Sequence, residues 1–210
     1  MNIGIIGSGN VGGALGTRWA KGGHQVTFGS RHPNDGDMKE LVGRAGSNAH
    51  VATLAAAAKS GEVLLLATPW PVTKDVVQGL GDLTGKVLID ATNPLLPDLS
   101  GMALPNTTSA AEQVAGWARG AKVVKAFNTV GSNIMENPAF GADKAVLFYC
   151  GDDAGAKDKA KQLADELGFE SVDAGPLSQA RVLESFALLW VLLAFKADLG
   201  REIAFKLLRR

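Results

Sequence analysis

The chain has 210 residues, 46% of them hydrophobic, enough for one packed domain or one domain with an appendage. Its 21 Lys and Arg balance 21 Asp and Glu, so it lacks the basic footprint that nucleic acid or an anionic membrane would select. A single cysteine, Cys150, excludes an internal disulfide and suits a reducing cytosol, and His24, His32 and His50 are scattered without metal-binding spacing.

The first predicted element is a buried strand over residues 2–6, an apolar run that begins at once and leaves no room for a signal peptide. Gly7-Ser8-Gly9-Asn10-Val11-Gly12 follows, a G-x-G-x-x-G turn leading into a helix over 10–22. In a dinucleotide-binding turn, Gly7 permits the tight bend, Gly9 lets backbone approach a pyrophosphate, and Gly12 lets helix and strand pack closely. The helix would aim its free N–H groups and positive dipole end at the phosphates. A second strand over 25–29 ends at Ser30-Arg31-His32. An NAD-binding chain usually carries Asp or Glu there to hold the ribose hydroxyls. A carboxylate would repel a 2′-phosphate, whereas a hydroxyl and a guanidinium bind it, so Ser30 and Arg31 point to NADP(H). His24, in the turn before this strand, reads as a capping or surface residue.

Further strands are predicted at 49–51, 62–67, 86–91, 122–127, 144–149 and 170–173. Helices fall between them near 37–45, 53–59, 71–79, 107–119 and 154–168. Val63–Ala67 and Val87–Ile89 are continuous apolar runs, as in strands buried on both faces of a parallel sheet. The alternation gives an α/β fold: a doubly wound, mostly parallel Rossmann sheet over residues 1–176, with right-handed crossovers. Cys150 ends an apolar strand and reads as a buried structural thiol. Residues 177–210 show no strand pattern and form a small C-terminal helical part. Within it, Phe186–Phe195 is ten apolar residues long, short of the roughly 20 that span a bilayer. A helix apolar on all sides is expected to be buried on all sides, by the sheet edge and by a second copy of the chain.

Ligands in such a sheet bind outside the carboxyl ends of the strands. Those ends carry Thr68 and Pro69, Asp90 to Pro94, and Phe127 to Gly131. Thr68, Asn93, Asn128 and Thr129 suit ribose, diphosphate or a nicotinamide carboxamide, or else serve as caps and turns. Asp90 is the one carboxylate, either a strand-end charge or helix cap or a proton-transfer group. No Ser/His/Asp set, no metal ligand cluster and no Tyr-x-x-x-Lys dyad is present, because the only tyrosine, Tyr149, is followed four residues on by Asp153. The expectation is hydride transfer with no catalytic side chain, the protein supplying proximity and orientation between two flat rings.

Gly7–Gly12, Phe28–Arg31, Ala67–Pro69, Val124-Lys-Ala-Phe-Asn-Thr129, Asp173–Pro176 and the tail Gly200–Arg209 together resemble the F420-dependent NADP oxidoreductase family. The resemblance covers nearly the whole chain and implies hydride transfer between NADPH and coenzyme F420 with no side chain acting as acid or base. Carried over, Ser8, Ser30 and Arg31 hold the adenosine end, and Thr68, Asn93 and Asn128 line the nicotinamide end. It also implies a homodimer through a C-terminal part that helps form the deazaflavin pocket, and a cytoplasmic enzyme with no membrane or nucleic-acid partner. The cytosolic domain of six-transmembrane ferric reductases is similar, and there NADPH reduces a flavin. Two alternatives therefore stand beside the F420 reading: an NADPH-dependent reductase of a flavin or a small carbonyl or imine, and a non-catalytic NADP-binding module. Arg181, Arg201, Lys206, Arg209 and Arg210 form either a basic channel for an anionic acceptor or an ordinary solvated helix face.

Overall fold

The computed structural model describes all 210 residues. In chain order the elements are β1 (Asn2–Ile6), α1 (Asn10–Lys21), β2 (Gln25–Ser30), α2 (Gly36–Ala45), β3 (Ala49–Thr53), α3 (Leu54–Ser60), β4 (Val63–Leu66), α4 (Trp70–Gln78) and β5 (Val87–Asp90). There follow α5 (Ala110–Trp117), β6 (Lys122–Lys125), α6 (Ser132–Glu136), β7 (Ala139–Phe140), β8 (Asp143–Lys144), β9 (Val146–Gly151), α7 (Ala154–Leu167), β10 (Glu170–Asp173), a 3₁₀ turn at Leu177–Gln179 and α8 (Ala180–Phe195).

Eight strands form one sheet in the order β10-β9-β6-β5-β4-β1-β2-β3. The six from β6 to β3 run parallel, and β9 enters antiparallel to β6 through Val124 with Gly151 and Lys125 with Cys150. All four residues of β4 and of β5 are buried, as their unbroken apolar runs predict. Side-chain alternation splits the core into two layers. Ile3, Leu65 and Ile89 pack with Trp19 and Phe28 on one face, and Leu64, Leu66 and Leu88 pack with Val114 on the other. Leu177, Ala180 and Leu183 belong to that second layer, so the C-terminal segment shares the sheet's core.

The structure departs from the sequence reading in several places. The strand read at 144–149 divides into β8 and β9. The helix α6 and the β7–β8 hairpin are too short to show a periodicity. His24 is not a surface cap: it is buried, with Nδ1 3.0 Å from the Met1 ammonium and Nε2 2.6 Å from Glu166 Oε2. Helix α8 is covered on one face only. Leu183, Ala187, Trp190 and Ala194, spaced four, three and four apart, are buried. The chain's own tail provides further cover. Trp190 Nε1 donates to the Ile203 carbonyl at 2.9 Å, and the Phe205 ring lies 4.3 Å from that of Phe186. What remains in water is Val182, Leu189 and Phe195, exposed by 61%, 43% and 49%. Cys150 is buried, and burial pushes its thiol up to about 12, which leaves it inert.

Candidate active site

A cleft of about 1280 Å³ runs along the carboxyl ends of β1, β2, β4 and β5. It exceeds the range of roughly 300–1,000 Å³ typical of small-ligand pockets, as an extended ligand requires. Two glycines shape it. Gly7 sits at φ +107°, and a Cβ there would meet the Ala67 carbonyl at 2.5 Å, so the ends of β1 and β4 close together only around glycine. A Cβ on Gly12 would stand 1.9 Å from the Gly7 carbonyl oxygen, so α1 docks onto the loop only without a side chain there. At Gly9 a Cβ would meet only open space. Helices α1 and α4 both begin at the cleft, and neither carries an acid in its first turn. Their N–H groups and dipoles thus face a volume suited to anions.

The β2 end of the cleft holds Ser30, Arg31 and His32, and Ser30 Oγ accepts the His32 N–H at 3.0 Å. The β4 and β5 end is lined by Ala67, Thr68, Pro69, Ala91, Thr92 and Asn93, none of them titratable. Thr68 Oγ1 lies 2.9 Å from Thr73 Oγ1, which in turn donates to the Pro69 carbonyl, fixing the start of α4. The loop residues Ser8, Asn10 and Val11 line the cleft as well, with Ser8 Oγ against the Met38 sulfur.

Three residues read as site residues, Gly12, Asn128 and the buried Thr129, do not reach the cleft. Gly12 is buried beneath the loop. Asn128 is buried behind Asn93, donating to Asn93 Oδ1 at 3.1 Å and to the Leu183 carbonyl at 3.0 Å. Asp90 is neither an exposed charge nor a helix cap. It is wholly buried, 3.0 Å from Lys125 Nζ, which also lies 2.9 Å from Glu184 Oε1. Burial alone would depress Lys125, but the two carboxylates outweigh it and hold its pKa above the usual lysine value. The basic residues of the tail do not line the cleft. Arg181 pairs with Glu112 at 2.6 Å, Lys206 with Asp143, and Arg201 donates to Ser132 Oγ.

Arg44 and Lys21, which the sequence reading passed over, also line the cleft, as do Asp35 and Asp37. Arg44 follows the buried Leu41 by three positions on α2, a helical spacing that could have placed it on the inner edge.

The sheet order, the glycine loop after β1 and the cleft across the strand ends define a Rossmann-type nucleotide-binding protein. A family profile described as "NADP oxidoreductase coenzyme F420-dependent" matches residues 2–94. The F420-dependent NADP reductase of Methanocaldococcus jannaschii is 30% identical over 210 residues, covering 93% of each chain. The crystal structure of a candidate F420-dependent NADP-reductase from Arthrobacter sp. FB24 superposes with a TM-score of 0.89 over 100% of both chains, at 30% identity. Metalloreductase STEAP3 of Rattus norvegicus is 32% identical over 186 residues, 89% of this chain, but the chain spans only 36% of that protein. The chain belongs to the F420-dependent NADP reductase family.

Proposed function

We propose that the chain is an oxidoreductase that transfers hydride between NADP(H) and coenzyme F420. The observation that carries this reading is the cleft's asymmetry. At the β2 end a hydroxyl and a guanidinium stand where an NAD site would hold a carboxylate; the residues that line the cleft from the ends of β4 and β5, Ala67 to Pro69 and Ala91 to Asn93, are all non-titratable. NADPH, when bound, supplies the hydride. The donor set fits it: Gly9 open to the cleft, two acid-free helix starts, and Ser30 with Arg31 for a 2′-phosphate. Thr68 and Asn93 orient the nicotinamide, and the protein's task there is alignment. Asn93, with its own carboxamide engaged by Asn128, offers a prearranged donor and acceptor.

The test is an absorbance assay of purified protein with NADPH, run separately against F420, FMN and small carbonyl or imine acceptors. Bleaching of F420 is the expected result. Turnover with FMN alone would favour a flavin acceptor, the second reading, which the likeness to a metalloreductase supports. NADPH binding without turnover on any acceptor would leave a non-catalytic module.

The reading extends to assembly. Leu177–Phe195 is long and apolar enough to cross a membrane, with mean hydropathy 1.4. Its inner face, however, packs on the sheet and carries Glu184 paired to a buried lysine. A second copy, related by two-fold symmetry, is the better cover for Val182, Leu189 and Phe195, in a cytoplasmic enzyme. Burying a large side chain contributes roughly 1.5–3 kcal/mol, so Leu189→Asp should convert dimer to monomer. Light scattering at micromolar concentration checks this, and a monomeric parent protein ends the idea.

A further inference from the structure

Two networks tie the floor of the cleft to helix α8. The first is charged. Asp90 Oδ1 accepts the Thr92 N–H at 2.9 Å, and Lys125 Nζ donates to the Thr92 carbonyl at 2.5 Å. Both peptide groups of this cleft residue are thus held by fully buried ionic side chains. Lys125 also binds Glu184 of α8, whose carboxylate accepts the Ala110 and Ala111 N–H groups at the start of α5, at 2.9 and 3.2 Å. The second network is neutral. Asn93 Nδ2 donates to the Asn128 carbonyl at 2.8 Å, while Asn128 Nδ2 donates to Asn93 Oδ1 and to the Leu183 carbonyl. The two networks end on adjacent residues of one helix, Leu183 and Glu184.

The backbone between them is strained. Phe127 is buried at φ +62°, a left-handed conformation uncommon for an aromatic residue. Its ring packs edge-on against Trp19 and Phe169, with centroids 5.7 and 6.3 Å away. That packing holds a turn that directs Asn128 back onto Asn93. A structure needing stability alone has little use for three buried ionic groups, which apolar residues of similar volume often replace without loss. Apolar residues cannot hold one residue by both its N–H and its C=O, and charge-assisted bonds are short and directional.

We propose that Lys125, Glu184 and Asn128 are positioning residues for hydride transfer, setting the Thr92–Asn93 floor, and with it the nicotinamide ring, from helix α8. The proposal rests on the reading that NADPH occupies the cleft. The test compares the parent protein with Glu184→Gln and with Asn128→Ala, each scored for NADPH affinity by fluorescence, for kcat, and for the deuterium isotope effect on kcat with NADPH labelled at the transferred position. Glu184→Gln keeps the Asp90–Lys125 pair while loosening the link to α8. A misplacement of 1 Å can cost up to 10²-fold in rate, so kcat should fall about 10-fold in either variant. NADPH affinity, set largely at the other end of the cleft, should change less than about 2-fold. The isotope effect should grow, because hydride transfer becomes slower relative to product release. A structural role alone would lower the folded fraction and leave the isotope effect of the remaining enzyme unchanged. That result, or parental kinetics in a folded variant of either kind, overturns the proposal. A parent protein that binds no NADPH, or reduces no acceptor, overturns instead the reading on which it rests.

Discussion

Lys125→Met is expected to lower the unfolding free energy by about 3–5 kcal/mol, the cost of removing one partner from a buried ionic cluster. Lys125 and Asp90 are fully buried, and Glu184 is 1% exposed. One ammonium therefore answers two carboxylates with no water at hand. Burial pushes the Glu184 carboxyl above the usual range, against the pull of Lys125. Without the ammonium the buried Glu184 carboxylate gains by taking up a proton. Across the window from the unfolded carboxylate pKa, about 4, upward, the folded variant then binds more protons than its unfolded chain, so its stability falls as pH rises. The deficit against the parent protein should be greatest near about pH 8 and should shrink toward about pH 5. In the parent, the raised Lys125 contributes fully below the unfolded lysine pKa of about 10.4 and loses that contribution only as pH climbs through the folded value. Urea unfolding followed by tryptophan fluorescence at the two pH values measures both effects. A loss under about 1 kcal/mol, or a deficit that widens in acid, would show that the cluster is not a closed ionic unit.

The same cluster marks where the sequence stopped being readable. The nucleotide-facing half was legible because its determinants are local. The glycine loop, the missing acid at Ser30 and the apolar runs of β4 and β5 each declare themselves within a few residues. Asp90 was visible as a strand-end carboxylate, but its partner Lys125 lies 35 residues away and reads only as one residue of the strand predicted at 122–127. Glu184 reads as the polar flank of an apolar run. Only the register that pairs Asp90 with Lys125 on neighbouring strands brings them together. Asn128 was placed in the cleft because it follows a strand end; the left-handed turn at Phe127 sends it inward, and no local pattern announces that turn in an aromatic residue. The cover on α8 was misjudged for a related reason. Phe205 and Ile203 sit in a tail without periodicity, yet they cover Phe186 and Trp190 of the apolar run.

Arg31→Ala should weaken NADPH binding by about 10- to 100-fold and leave NADH binding nearly unchanged. A charge-assisted guanidinium–phosphate contact contributes roughly 1.5–3 kcal/mol, and only NADPH carries the 2′-phosphate to receive it. The site's surroundings sharpen the expectation. Asp35 and Asp37 also line this end of the cleft, so a phosphate entering without Arg31 meets carboxylates with less to offset them. Arg31 is exposed and pairs with neither of them in a salt bridge, so its removal leaves no buried charge behind and should not perturb the fold. Titration of NADPH and NADH fluorescence in the parent and the variant separates the cases. Equal losses for both cofactors would mean that Arg31 holds the diphosphate or the loop rather than the 2′-phosphate. A parent protein that prefers NADH would mean that Ser30 and Arg31 do not select NADP at all, because the absent carboxylate is then made good by another acceptor for the ribose hydroxyls.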